Sequence, residues 1–530
     1  QGKYAEAGEG ALYPVAAGEG NSSSERDNMK PFNESEGHDV VCVRLPECGT
    51  LASDLSSPPE RLPLTPYDVM NSGRAVPMIW FYESTIDIDA LIEALRETVS
   101  SYPTLCGRYA DPPWTAIELN NAGLPVYIDK RYEGATLAEA IAHIPADTSE
   151  SESANDDYGL TPPPCYFARD ARDAFLPPRD GMEPDTCSPC SALAKIKITT
   201  FLTGGGGTAV GILVMHSVMD ADAIFAFMRN WSRAFRKLPL DDPVPVNDRG
   251  FMDAIAPGEV VDYKDDADSG DGDGKATLEP APENFKVQVP AAGAPPAPPA
   301  FAGVMPKIAG PSVCAVALTK SILKRFKADA ASSGDVPAGS FVSTDDLVTA
   351  RAWRALCRMR CAQLGLALDD AELVTTCSRA VNFRKRASPP LPPGYSGNGV
   401  CQVWTEAKVS ELVASSVPLV ASWLRASLSA NTAEDVAQRT RWLRRAQRRA
   451  PSSKPTLQFD ANALTFILSS WGFDWQGAEF GEGVKAARFD HTAHVPIVSV
   501  IVPRPGGDGV TVYASGPQAS LEEFARLLVQ

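Results

Sequence analysis

The stretch that most restricts the fold is residues 192–230, "ALAKIKITTFLTGGGGTAVGILVMHSVMDADAIFAFMRN". The segments on either side of the glycines Gly204–Gly207 read as two strands joined at a turn. The second run, "TAVGILVM", is apolar enough to be buried. Beyond it Ile224, Phe227, Trp231 and Phe235 recur at helical spacing, a stripe that needs a sheet to cover it. Strand, turn, strand and helix in direct succession point to a fold that mixes sheets with packed helices. The four glycines are not read as a phosphate loop. No Gly-Lys-Ser/Thr follows them, and a strand comes next where such a loop needs a helix.

His216, one of only five histidines, ends the second run. A neutral imidazole on the rim of a core has an unperturbed pKa near 6.5, which suits a general base. Asp220 follows four residues later. It can orient the imidazole, or pair with an arginine and hold the turn. On the pair alone the structural reading is the plainer one.

With 530 residues the chain exceeds what one core usually serves, so two domains are expected. The formal net charge of −17 speaks against general nucleic-acid binding and against anionic lipid as an anchor. An anionic ligand needs a local basic pocket. Eleven scattered cysteines fit a reducing compartment better than a disulfide framework, and the lone Cys187-x-x-Cys190 reads as loop cysteines. No apolar run approaches the ~20 residues of a membrane span. The chain begins at Gln1, so an upstream segment is expected to have been removed or left out. The cytosol is the expected compartment, or an organelle if that segment was a targeting peptide.

Residues 1–37 read as a disordered or surface-laid tail. A first domain is expected over 38–245. It includes a helix near 86–110 with Asp87 or Asp89 as cap, and a Pro- and acid-rich insertion at about 147–190. Residues 246–310, acidic and then Pro/Ala-rich, read as a crossover linker with little core to offer. The second domain, 311–530, opens with the strand "SVCAVALT" and carries helices near 343–364 and 434–449. His491 and His494 read as surface or packing residues.

The segment around His216 resembles the signature of the BAHD acyltransferases: an aromatic strand, a Gly-Gly turn, and an apolar strand ending in His-x-x-x-Asp-Gly. Five further segments resemble that family in order: "LPLTPYDVM", "VSSYPTLCGRY", "FVSTDDLVTARAWR", "AVNFRKRASPPLPPGYSGNGV" and "LTFILSSWGFDWQGAEFGEG". The resemblance spans about 40 to 530, insertions excepted. Ala221 stands where the family has Gly, and Glu479-Phe480-Gly481-Glu482-Gly483 replaces Asp-Phe-Gly-Trp-Gly.

The resemblance implies an α/β (α+β) fold: two chloramphenicol-acetyltransferase-like domains, each a mixed sheet with packed helices, with a channel between them. It implies His216 as general base at the channel's centre, with Asp220 in an orienting or structural role. The reaction implied is acyl transfer from acyl-coenzyme A, a co-substrate, to a hydroxyl or amine of a small molecule. No metal and no tightly bound cofactor are expected. Ser469, Ser470, Trp471 and backbone N–H groups are oxyanion or channel candidates, with core packing the alternative for Trp471. The family match puts Arg384 and Arg386 in its Arg-x-Arg positions, and with Lys385 they are candidates for the coenzyme A phosphates. The alternative for Arg384 is a brace to an acid such as Glu479. The basic stretch 439–449 reads as a solvated helix face. Glu479, Phe480, Gly481 and Gly483 are expected to form a structural motif away from the reacting atoms. A monomer is implied. A condensation domain of the same fold, or a catalytically idle subunit of an assembly, are the rival readings.

Overall fold

The computed structural model describes residues 39–46, 59–110, 114–132, 136–142, 164–182, 188, 190–240, 243–257, 280–282, 284–290, 299–449 and 454–530. The expected tail, Cys187, most of the insertion after 147 and much of the linker lie outside them.

Thirteen strands build two large sheets: β1 (Asp39–Val43), β2 (Ala75–Tyr82), β3 (Leu124–Tyr132), β4 (Cys165–Ala168), β5 (Ala194–Phe201), β6 (Thr208–Met215), β7 (Ser312–Leu318), β8 (Val374–Asn382), β9 (Val400–Lys408), β10 (Thr465–Ser470), β11 (Arg488–His491), β12 (Val498–Pro503) and β13 (Val510–Gly516). The first sheet has the order β1-β3-β5-β6-β2-β11 and the second β9-β8-β10-β12-β13-β7-β4. Both are mixed: β3 and β5 run parallel in the first, and β8, β10 and β12 are successive parallel neighbours in the second. The main helices are α1 (Pro66–Met70), α2 (Ile88–Val99), α3 (Ala221–Phe235), α4 (Lys320–Ser333), α5 (Thr344–Leu364), α6 (Val417–Ala430), α7 (Ala433–Arg449) and α8 (Gln518–Val529).

Local sequence explains these elements. β6, a continuous apolar run, and β5 are buried at every residue, the latter with its lysines Lys195 and Lys197 reaching backbone carbonyls, and they pair antiparallel across the glycines. All four glycines have positive φ, between 70° and 126°, a conformation that side-chain-bearing residues avoid. Asp87 caps α2, and its last turn gives way to Pro103. On α3, Trp231 donates its indole N–H to the Leu91 carbonyl at 2.9 Å, locking α3 against α2. Ser343 and Asp346 form a capping box at the start of α5.

The sheets do not divide at the expected boundaries. β4, from the first half of the chain, pairs with β7 in the second sheet, and β11, from the second half, pairs with β2 in the first. One core joins first-sheet residues to Val313, Ala315, Val500 and Tyr513 of the second; another fills the opposite face of the second sheet beneath α4, α5, α6 and α8. The linker is also richer in core than its composition implies. Met252, Ile255, Phe285, Val287, Phe301 and Ile308 are all buried, and Val287–Gln288 pairs with Thr456–Leu457. Sparse apolar residues in a Pro-rich segment suffice once neighbouring elements offer a surface to cover.

Candidate active site

His216 follows the last residue of β6. Its N–H donates to the Arg74 carbonyl at 2.7 Å, extending the β6–β2 ladder by one step beyond Met215. The chain then turns, and Asp220 caps α3 by accepting the Ala223 N–H at 3.1 Å. The His-x-x-x-Asp spacing is thus a strand end, a turn and a helix start, with the histidine at the mouth and the aspartate at the cap.

The imidazole meets one partner from the other half of the chain. His216 Nδ1 lies 3.1 Å from Asn398 Oδ1. Asn398 Nδ2 donates both its hydrogens, to Asp68 Oδ1 and to the His216 carbonyl, each at 2.7 Å. Its amide oxygen can therefore only accept. Nδ1 must carry the ring proton, and Nε2 is left with a free lone pair. Burial pushes the His216 pKa below its ordinary value, which keeps the ring neutral near pH 7.

Asp68, on α1, is fully buried. It forms a capping box with Thr65, takes the Asn398 N–H at 3.0 Å and sits 3.2 Å from Arg249 Nε. Arg249 in turn donates to the Val218 carbonyl at 2.7 Å, within the turn that follows His216. Three distant segments are thereby tied together at the imidazole. Asp68 and Asn398 both lie inside family-like segments, yet neither carries a sequence signal for this role; the signal is their convergence on the histidine.

Asp220 does not face the imidazole. Arg384 Nη1 and Nη2 grip its carboxylate at 2.8 and 2.9 Å, and the Gly399 N–H adds a bond at 2.9 Å. Burial by itself would raise the Asp220 carboxyl, but the guanidinium and these N–H groups outweigh it and hold the carboxyl below the usual range. Gly399 is where the loop passes Arg384; a Cβ there would come within 2.7 Å of the guanidinium.

This corrects the expectation for Arg384. It is buried, and its remaining donors go to the carbonyls of Tyr395 at 3.2 Å and Gly397 at 2.7 Å. Nothing on it is free for a phosphate. It is a brace, but to Asp220; Glu479 instead pairs with Arg236 at 3.0 Å. Lys385 and Arg386 are exposed on the same turn, and Arg386 reaches the Leu428 carbonyl at 3.5 Å.

The oxyanion candidates separate. Trp471 donates its indole N–H to Ser469 Oγ at 3.1 Å, so the two form a unit. Ser470 is turned away to the helix side, where its hydroxyl meets Asp345 of α5. No hydrogen bond joins His216 to any of the three among the described residues. Glu479 also accepts the Gly483 N–H at 2.6 Å, and Phe480 packs edge-on against Tyr82, Trp231 and Phe235. This turn, which includes Gly481, fastens the chain to α3. Glu482 points outward, which explains how a charge can stand where the family has an aromatic.

His491 and His494 are buried, not on the surface, and pack against each other at 4.8 Å between ring centroids. On α7, Arg439 is buried against Asn431, while Arg441 and Arg444 pair with Glu434 and Asp253, so only part of its basic face is solvated.

Among the described residues no helix is long and apolar enough to cross a membrane, and no group of three or more His, Cys, Asp or Glu could hold a metal ion. The nine described cysteines are all free thiols.

Comparison with known proteins gives the chain's family and fold. The chain is 24% identical over 458 residues to tryptamine benzoyltransferase 2 of Oryza sativa subsp. japonica, covering 85% of this chain and 88% of the relative. It is 25% identical over 399 residues to shikimate O-hydroxycinnamoyltransferase of Nicotiana tabacum, covering 73% and 76%. Its fold matches the crystal structure of F. sporotrichioides TRI101 complexed with coenzyme A and T-2, with a TM-score of 0.62, 18% identity and coverage of 87% and 96%. The two mixed sheets with packed helices thus have the two-domain chloramphenicol-acetyltransferase-like fold. The profile of the Transferase family matches residues 168–527, more than half of the sequence, and the chain belongs to that family, the BAHD acyltransferases that draw on acyl-coenzyme A.

Proposed function

We propose that the protein transfers an acyl group from acyl-coenzyme A to a hydroxyl of a small-molecule acceptor, with amine acceptors open to the same chemistry, and that His216 is the general base. The observation that carries this reading is the Asp68–Asn398–His216 relay, which leaves Nε2 as an unprotonated lone pair on a neutral ring.

In this reading Nε2 takes the acceptor's proton as its oxygen or nitrogen attacks the thioester carbonyl. The tetrahedral oxyanion collapses, the carbon–sulfur bond breaks, and the proton passes from Nε2 to the departing thiolate. A positioned base contributes ~10²–10⁴ in rate. Because the Trp471 indole donates to Ser469 Oγ, the serine's own hydrogen is left to point at the oxyanion, and we assign Ser469 that role with Trp471 behind it. With Arg384 committed to Asp220, Lys385 and Arg386 remain the basic candidates for the coenzyme A phosphates. Relatives named for an amine and for a hydroxyl acceptor support the width of this reading.

The test is free-thiol release with a panel of acyl-coenzyme A donors and pooled alcohols and amines. Release that requires an acceptor and vanishes in His216→Ala is the expected result. No release, together with no coenzyme A binding, would replace the reading with that of an idle subunit.

A further inference from the structure

Strand alternation gives β8, β9 and β10 two unlike faces. On one, Cys377, Phe466 and Leu468 lie in the core beneath the helices. On the other, Thr376 and Ser378 of β8 stand opposite Glu406 and Trp404 of β9 and beside Thr465 and Ile467 of β10. Farther across that same face, Val500, Tyr513 and Ala315 are sealed in the core shared with the first sheet. Over β8–β10 burial is mixed: Thr376, Ser378, Trp404 and Thr465 are buried, while Ala380, Gln402, Ile467 and Ser469 are only half-buried. That face runs along β9 from Val400, at the end nearer His216, toward Trp404 and Glu406.

At its far end is a cavity of about 500 Å³, whose lining includes Asn284, Phe285, Lys286, Trp404, Glu406 and Gln458. That volume suits a small organic group. Lys286 and Glu406 form an ion pair between the linker and β9, so together they add no net charge. Trp404 is only 5% exposed, yet its indole N–H has no hydrogen-bond partner among the described residues. A buried donor left unpaired is costly and uncommon. An oxygen in the cavity would satisfy it. The His216 end of β9 is marked by Val400, which pairs with Asn382, whose amide in turn reaches Asp222. Trp404 lies four residues farther along the strand, roughly 14 Å at the ~3.4 Å rise of antiparallel sheet.

We propose that this cavity receives the far end of the acyl acceptor, with the Trp404 indole donating to an oxygen there, so that the protein selects elongated, uncharged acceptors oxygenated at both ends. The proposal rests on the acyl-transfer reading for its link to His216, while binding to the cavity can be measured without it.

The probes are dodecanediol, with a hydroxyl at each end, and dodecanol, with hexanediol and hexanol as a pair too short to span the distance. Binding to the full chain is measured calorimetrically for the wild type and Trp404→Phe, which keeps an aromatic ring and removes the N–H. The wild type is expected to bind dodecanediol about tenfold tighter than dodecanol, beyond the statistical advantage of two equivalent ends. The preference is expected to vanish in the variant and to be absent for the six-carbon pair. Equal binding of the two long probes by the wild type, binding of neither, or a diol preference that survives in Trp404→Phe overturns the proposal. Acyl transfer from acetyl-coenzyme A to the same probes is followed in parallel. A Trp404-dependent diol preference without any transfer leaves the cavity's role standing and removes the acyl-transfer reading.

Discussion

A histidine acts as a base only if one nitrogen is free, and at His216 that is decided by an amide. Asn398 spends both hydrogens on Asp68 Oδ1 and the His216 carbonyl, so its oxygen must accept a hydrogen bond from Nδ1–H. Asn398→Ala is therefore expected to keep the fold's brace at Asp220 but to lower kcat about tenfold, the worth of one hydrogen bond, with KM for the donor little changed. His216→Ala should remove the full ~10²–10⁴ of base catalysis. The pH profile follows from the sign of the shift. Burial lowers the His216 pKa, and under the proposed general-base role the protonated ring is inactive, so kcat/KM should hold at its plateau down through pH 6.5 and bend only below it. A limb bending above pH 7 would mean the ring is not desolvated as described. At this scale the sequence shows the histidine and the aspartate but not their division of labour. Asn398 is 182 residues from His216, and Arg384 is 164 from Asp220, so neither partnership leaves a local trace.

The element that positions His216 is the β6–α3 turn, and its anchor is the buried Asp220–Arg384 pair. Removing one partner strands the other charge away from water. Arg384→Met is expected to destabilise the protein by about 3–5 kcal/mol in urea denaturation, far more than loss of an exposed pair would. The pair also sets an acid limit. The Asp220 carboxyl is held below its unfolded value, so its stabilisation is complete above the ordinary carboxylate range and is lost as pH falls through and below about 4. Elements such as the glycine hairpin, α2 and α5 are legible in the sequence because their signals are local: an apolar run, a cap, a stripe at helical spacing. The exchange of β4 and β11 is not, since a four-residue strand carries no mark of which sheet it will join. Nor is the linker's contribution to the core, which depends on a few residues such as Met252 and Phe285 finding partners elsewhere.

At the scale of the whole molecule the two sheets are held together by β11, and a pair of buried histidines lies where it leaves the first sheet for β12. His491 touches Trp471, His494 and Tyr513, with ring centroids 5.1, 4.8 and 4.7 Å away, and neither of its nitrogens has a hydrogen-bond partner among the described residues. The neighbouring charges, Asp490 and Arg172, are paired with each other at 2.5 Å. Burial pushes the His491 pKa down from 6.5 to about 4, with Asp490 opposing, and burial, His491 and Arg172 push His494 well below its ordinary value. The unfolded chain thus binds protons between about pH 6.5 and 4 that the folded chain refuses. Stability must therefore rise with pH across that window and fall as the solution is acidified, by ~3 kcal/mol for His491 alone at about 1.36 kcal/mol per pKa unit. His491→Leu removes the titrating group while filling similar apolar space, so at pH 7 it should change stability by no more than about 1 kcal/mol. Between about pH 6.5 and 4 its loss of stability should be shallower than that of the wild type by up to ~3 kcal/mol, with the residual slope left to His494 and the carboxylates. Denaturant titrations at several pH values measure this directly. Parallel pH slopes for the two proteins would show that the junction between the sheets admits water or a proton in the folded state, and that β11 is a looser clasp than its packing implies.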